Sequence, residues 1–313
     1  MYSNSSATLL PAAPLPHRTA GIWWGLLGVA AFSFTVPFTK VAVDGMSPLF
    51  IGSGRAVLAA LLAALALGLT RQRLPRGIQW ARLAIIAGGV VVGFPVLTSY
   101  ALTAVPASHA AVVTALLPAA TATAAVLRGH ERPPLIFWIM SGVGAAVTVA
   151  FAAFTSGGLG SFSWPDLLLL GAVGAGAVGY AEGGLLAREM GSWQVISWAL
   201  VVAAPLMVLL TAIAVVEQPP AASAVQWAAF GYLGVVSMFL GFFAWYRGLA
   251  IGPMTRVSQI QLVQPVLTIA WAAILLGEHL TWPTVVGGLA VVLCAGVAVR
   301  TRAATREKTA KAA

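Results

Sequence analysis

Residues 100–131 read YALTAVPASHAAVVTALLPAATATAAVLRGHE, and residues 247–278 read RGLAIGPMTRVSQIQLVQPVLTIAWAAILLGE. Laid together without a gap, 147 positions apart, Leu102 meets Leu249, Pro106 meets Pro253, Ser108 meets Thr255 and Pro118 meets Pro265. Thr121 then meets Thr268, and Glu131 meets Glu278. Identities between Ala-rich segments carry little weight. Two prolines and a glutamate in one gapless register carry more, and they mark the chain as internally duplicated.

The composition says what is duplicated. Of 313 residues, 60% are hydrophobic and 8% are charged, against about 25% charged in an ordinary soluble domain. The mean hydropathy is +0.94. So little charge cannot cover a soluble surface. Gly has no fixed period and there is one Cys, so collagen-like and disulfide-scaffold classes are excluded too. An all-α integral membrane protein remains. A helix needs roughly 20 apolar residues to span a bilayer. Ten such runs can be marked, near 20–41, 48–69, 82–103, 107–127, 134–154, 166–187, 194–216, 225–246, 254–276 and 282–299. Gly, Pro and Ser punctuate the short connections between them. The runs are continuously apolar rather than alternating, which excludes a transmembrane barrel.

The charges agree with ten spans. With the N-terminus in the cytoplasm, fifteen of the 17 Lys and Arg fall in cytoplasmic segments. They are Arg18, Arg71, Arg73, Arg76, Arg82, Arg128, Arg132, Arg188, Arg247, Arg256, Arg300, Arg302, Arg306, Lys308 and Lys311. Lys40 and Arg55 lie within or at the outer end of the first two spans. This is the positive-inside pattern for both termini in the cytoplasm, so the net charge of +9 reports topology rather than nucleic-acid binding. Ten divides into five and five, and five is odd, so the second unit inserts upside down. The expected organisation is a cytoplasmic tail over 1–18, a first five-helix repeat over 19–155, a second over 156–300 and a basic cytoplasmic tail over 301–313. Inverted repeats are a mark of secondary transporters, with the site between the repeats near mid-bilayer. The first apolar run continues as a span without an obvious cleavage site, so a removable signal peptide is not expected.

The stretches Tyr100-Ala101-Leu102, Pro106-Ala107-Ser108, Pro118 and Glu131, with Tyr246-Arg247-Gly248-Leu249-Ala250, Pro265 and Glu278, resemble the paired signature of the EamA-like family in the drug/metabolite transporter superfamily. Lys40 and Arg55 also match common family positions. The chain departs from the pattern at Met254-Thr255-Arg256, where small residues are usual. The resemblance covers about residues 20–300. It implies an inner-membrane carrier that works by alternating access, often an exporter of amino acids or other small metabolites. The expected partners are a small-molecule substrate, protons as a coupling option, and the lipid bilayer. No nucleic acid, cofactor or metal is expected, and the unit is a monomer or a homodimer.

Candidates for the path follow from where polarity enters the spans. Glu182 lies about 16 residues past Asp166, inside the hydrocarbon. A charge there costs about 2.5–3.5 kcal/mol on insertion scales and needs a cavity or a partner. Beside Tyr180 and Gly179, it could bind a substrate amine or relay a proton; it could equally be a structural carboxyl between helices. Arg55 could bind a carboxylate in a bidentate fashion, form a structural pair, or snorkel to the interface. The ninth span carries a polar stripe of Ser258, Gln261, Gln264, Pro265 and Thr268, and its repeat mate offers Thr114, Pro118 and Thr121, with His109 a turn earlier. Spacings of three and four share a helical face, read either as cavity wall or as helix–helix glue. Pro118 and Pro265 free backbone carbonyls one turn upstream. Aromatic wall candidates are Phe34 and Phe38, Phe94 and Tyr100, Trp198, and Phe242 and Tyr246. The rival classes are an intramembrane enzyme and a channel. No G-x-S-x-G, H-E-x-x-H or filter-like string occurs to support them.

Overall fold

In lipid every backbone N–H and C=O must be satisfied within the chain, so the apolar runs have to form helices. The computed structural model describes residues 17–129, 134–155, 163–251 and 260–312, and no strand occurs among them. Glu131, Arg256 and Ser258 lie outside the described residues. Seven helices are long and apolar enough to cross a membrane: Ala20–Val43, Pro48–Leu69, Gln79–Ala101, Ala107–Arg128, Trp164–Met190, Ser192–Glu217 and Ala224–Gly248. Shorter apolar stretches, Leu135–Thr148, Gln261–Leu276 and Trp282–Val297, take their places as the fifth, ninth and tenth. The molecule is therefore all-α and multi-pass, with two repeats of five helices.

The packing follows a pseudo-two-fold relation that exchanges helix one with six, two with seven, three with eight, four with nine and five with ten. The second helix packs on the seventh and the fifth on the tenth, each pair mapping onto itself. The first packs on the eighth, and its image, the sixth against the third, is equally present. The contact of the fourth with the sixth answers that of the ninth with the first. Leu61, Leu65, Leu209, Leu289 and Leu293 remain on the outside, where they meet lipid at no cost. Trp23, Trp80, Trp164, Trp227 and Trp282 are exposed near helix ends, as interfacial anchors are.

Several helices are interrupted at mid-depth, and the sequence gives reasons for most breaks. Pro37 has no N–H for the carbonyl of Ser33 and its ring crowds that turn. The first helix accordingly stops at Ser33 and resumes at Thr35. The freed Ser33 carbonyl accepts instead from Thr268 Oγ1 at 3.0 Å, and Trp271 Nε1 donates to Ser33 Oγ at 3.0 Å. Pro118 acts similarly on the fourth helix, which breaks between Thr114 and Leu117. Ahead of Pro265, residues Gln261–Val263 are wound as a 3-10 turn. The third and eighth helices contain π segments, Ala87–Gly93 and Leu233–Leu240. Their closing bonds run from Phe94 N–H to the Gly89 carbonyl and from Gly241 N–H to the Val236 carbonyl. Those donors are again 147 residues apart, so the irregularity itself is duplicated. Such π segments rotate the helix face locally and concentrate at functional sites.

Candidate functional site

The interrupted helices surround one cavity between the repeats. It is narrow, with a volume of about 30 Å³ for water-sized contents. Its polar lining is Thr35, Arg55, Thr114, Tyr180, Ser237 and Gln264; its apolar lining is Phe32, Val36, Val90, Phe94, Leu117, Met238 and Phe242. These come from the middle portions of seven helices. Two pairs are repeat mates at the 147-residue offset, Val90 with Ser237 and Leu117 with Gln264. In each pair the first repeat supplies the apolar member and the second the polar one, so the cavity is symmetric in backbone and asymmetric in chemistry. Thr35 Oγ1 and Ser237 Oγ lie 2.7 Å apart and tie the repeats together at its wall.

Arg55 is 2% exposed, so it does not snorkel to the interface. Small neighbours make this possible. A Cβ on Gly52 would stand 2.8 Å from the Val96 Cα, so glycine lets the third helix close over this turn. Tyr180 and Tyr246 flank the ring of Phe242, each at 5.6 Å between centroids, and Phe32 meets it at 4.9 Å. A Cβ on Gly183 would collide with the Tyr246 hydroxyl, so glycine there leaves the room that Tyr246 fills.

Of the residues read from the sequence, the cavity brings together Arg55, Thr114, Tyr180 and Gln264, with Phe94 and Phe242 among the aromatics. The others sit elsewhere. Gln261 is buried but is not part of the lining. The Thr121 hydroxyl is buried without a partner. Pro118 and Pro265 stand next to the helix breaks. Phe34 stacks on Trp271 at 4.6 Å, and Phe38 meets Tyr232 edge-on at 4.8 Å. Tyr100 is 37% exposed, near the far end of the third helix. Trp198 packs edge-on against Trp80 at 5.9 Å beside a polar depression lined by Arg71, Arg73, Arg76 and Glu189. Lys40 donates to the Leu102 carbonyl at 2.9 Å.

Glu182 is buried and lies outside the cavity, in an ion cluster. It accepts from Arg82 Nε and, at 2.9 Å, from Arg128 Nε, while Arg82 also reaches Glu189. This cluster ties the third and fourth helices of the first repeat to the sixth of the second, at the end where most of the arginines lie. The opposite end is tied differently. Glu278 accepts from the backbone N–H groups of Ala107 at 2.7 Å and Ser108 at 2.9 Å, capping a helix of the other repeat. His109 and Asp166 lie 2.7 Å apart nearby. The sequence pattern did not single out Arg82 and Arg128 as partners of Glu182, because both count as topology charges. Thr35, Ser237 and the π segments were missed too. Pro37 and the 147-residue register were the available signals.

Comparisons with known proteins bear on this architecture. The EamA-like transporter family matches the chain twice, over residues 19–156 and 163–300. An uncharacterized transporter of Bacillus subtilis, YdeK, is 40% identical over 285 residues, covering 91% of this chain and 99% of that protein. A probable terminal-alkyne amino-acid exporter of Streptantibioticus cattleyicolor is 26% identical over 272 residues, covering 85% of this chain and 89% of that one. A crystal structure at 21% identity shares the fold, with a TM-score of 0.61 over 90% of this chain and 96% of its own. Two matched repeats and a full-length relative make this chain a member of the EamA-like transporter family of the drug/metabolite transporter superfamily.

Proposed function

We propose that this transporter is a secondary active carrier of the inner membrane that exports amino acids or similar small metabolites by alternating access. The observation that carries this is the cavity between the repeats, walled by helices that break at mid-depth. Broken helices between inverted repeats are the usual setting for a carrier's site. The two ends of the molecule are bridged by different chemistry, ions at one and a carboxylate cap on backbone N–H groups at the other. That supports two gates that can open separately. Both termini lie in the cytoplasm in this reading, because fifteen of the 17 basic residues then follow the positive-inside rule. Glu182 serves as the latch of the cytoplasmic gate, and a proton taken up there as the latch opens is one route to coupling. The likeness to an amino-acid exporter supports the substrate class. No catalytic step is assigned to the chain.

The test is counterflow. Proteoliposomes preloaded with an unlabelled amino acid should accumulate the labelled one transiently and saturably, and planar bilayers should show no unitary currents. Unitary currents without counterflow would make the protein a channel and overturn the reading.

A further inference from the structure

The second helix carries Arg55 into the cavity with its charge unanswered. Among the described residues no hydrogen bond or ion pair reaches its side chain, and its Nε is buried without a partner. The acids of the chain can be accounted for one by one. Glu182 and Glu189 hold Arg82, and Asp166 faces His109. Glu278 caps a helix. Asp44 and Glu217 are at helix ends, outside the cavity. Glu131 and Glu307 belong by sequence to a connection and to the basic tail. None of the acids among the described residues lines the cavity. Arginine does not lose its proton in proteins, and a buried cation without a counter-ion is costly. In a carrier that cost has a natural use, since the missing anion can arrive as cargo.

The geometry points to Arg55 as the carboxylate anchor of the transported substrate, and to a substrate class of small monocarboxylates with an apolar body. This deepens the carrier reading and rests on it. The guanidinium fork matches a carboxylate with two parallel bonds. Thr35, Ser237 and Gln264 offer neutral hydrogen bonds beside it, and Phe94, Met238 and Phe242 an apolar wall. Among the described residues the cavity has no carboxylate for an ammonium group. An amino acid is therefore held by its carboxylate and its side chain, and its amine adds little.

The test is thermal stabilisation of the detergent-purified protein by a panel of small carboxylates, from branched aliphatic to aromatic. Each acid is run as the amino acid, as its 2-oxo counterpart and as the decarboxylated amine. Binding to the folded state raises the melting temperature by mass action. At least one amino acid and its 2-oxo counterpart should stabilise the wild type, with affinities within about tenfold of each other, and the matched amine should not. Arg55→Gln should lose at least tenfold in that affinity, and Arg55→Lys should keep part of it because Lys binds as a point charge. The empty Arg55→Gln protein should melt no lower than wild type, because the change removes an unanswered charge; this separates lost binding from lost folding. Stabilisation by the amine, unchanged carboxylate binding in Arg55→Gln, or a panel in which no carboxylate stabilises the wild type would overturn the assignment. Carboxylate binding that depends on Arg55 without counterflow in proteoliposomes would instead sink the carrier reading and leave the anchor standing.

Discussion

Arg82 and Arg55 are both arginines drawn inside this transporter, and they are held in opposite ways. Arg82, at the end of the third helix, meets two carboxylates, and the buried one of them, Glu182, is shared with Arg128. Arg55, at mid-depth, meets no acid among the described residues. A charge that the chain itself neutralises holds pieces of the chain together. A charge that the chain leaves unanswered is free to respond to something that comes and goes. The same residue type is thus a fastener in one place and a receptor in another, and the placement of eight acids decides which.

The comparison breaks most directly at Glu182. Glu182→Gln keeps the shape and removes the charge that holds both arginines. Hydrogen bonds to charged groups contribute about 1.5–3 kcal/mol, so the population with the basic end open should rise by about ten- to hundredfold. Accelerated proteolysis or hydrogen exchange at the third and fourth helix ends would register it; an unchanged profile would make the cluster ornamental. A finer cut separates the two arms of the cluster. Arg82→Gln should cost about 1.5–3 kcal/mol, because its side chain is mostly enclosed and serves two acids. Arg128→Ala should cost only about 0–1 kcal/mol, because 57% of its side chain stays exposed. Equal losses in thermal unfolding would mean that exposure does not grade these pairs.

Much of the fold was legible because lipid leaves few options. Apolar runs must be helices, basic residues sort to one side, and two prolines with a glutamate at one offset expose the duplication. Depth in the membrane was also legible, which is why Arg55, Thr114, Tyr180 and Gln264 were singled out and do share a cavity. Rotation about each helix axis was harder. Gln261 and Gln264 are one turn apart, yet only Gln264 lines the cavity, because the 3-10 turn and Pro265 twist the face between them. The π segments do the same for Val90 and Ser237, and hydropathy carries no trace of them. Glu182 was legible as a buried charge but not as a paired one. Its partners sit 100 and 54 residues away, and both arginines are already explained by topology.

The central claim, that substrate passes through the cavity between the repeats, meets its most direct test at Thr114. Thr114 lines the cavity, and its hydroxyl bonds only carbonyls of its own helix, at 2.8 and 3.3 Å. A Thr114→Cys protein on a Cys294→Ser background has a single thiol, since Cys294 is the one native cysteine. In oriented vesicles, impermeant thiol reagents should reach that thiol from either side. A bound carboxylate should slow both reactions, and Glu182→Gln should favour reaction from the basic end. A thiol that reacts from neither side with or without ligand, or that only a lipid-soluble reagent can reach, would contradict the account.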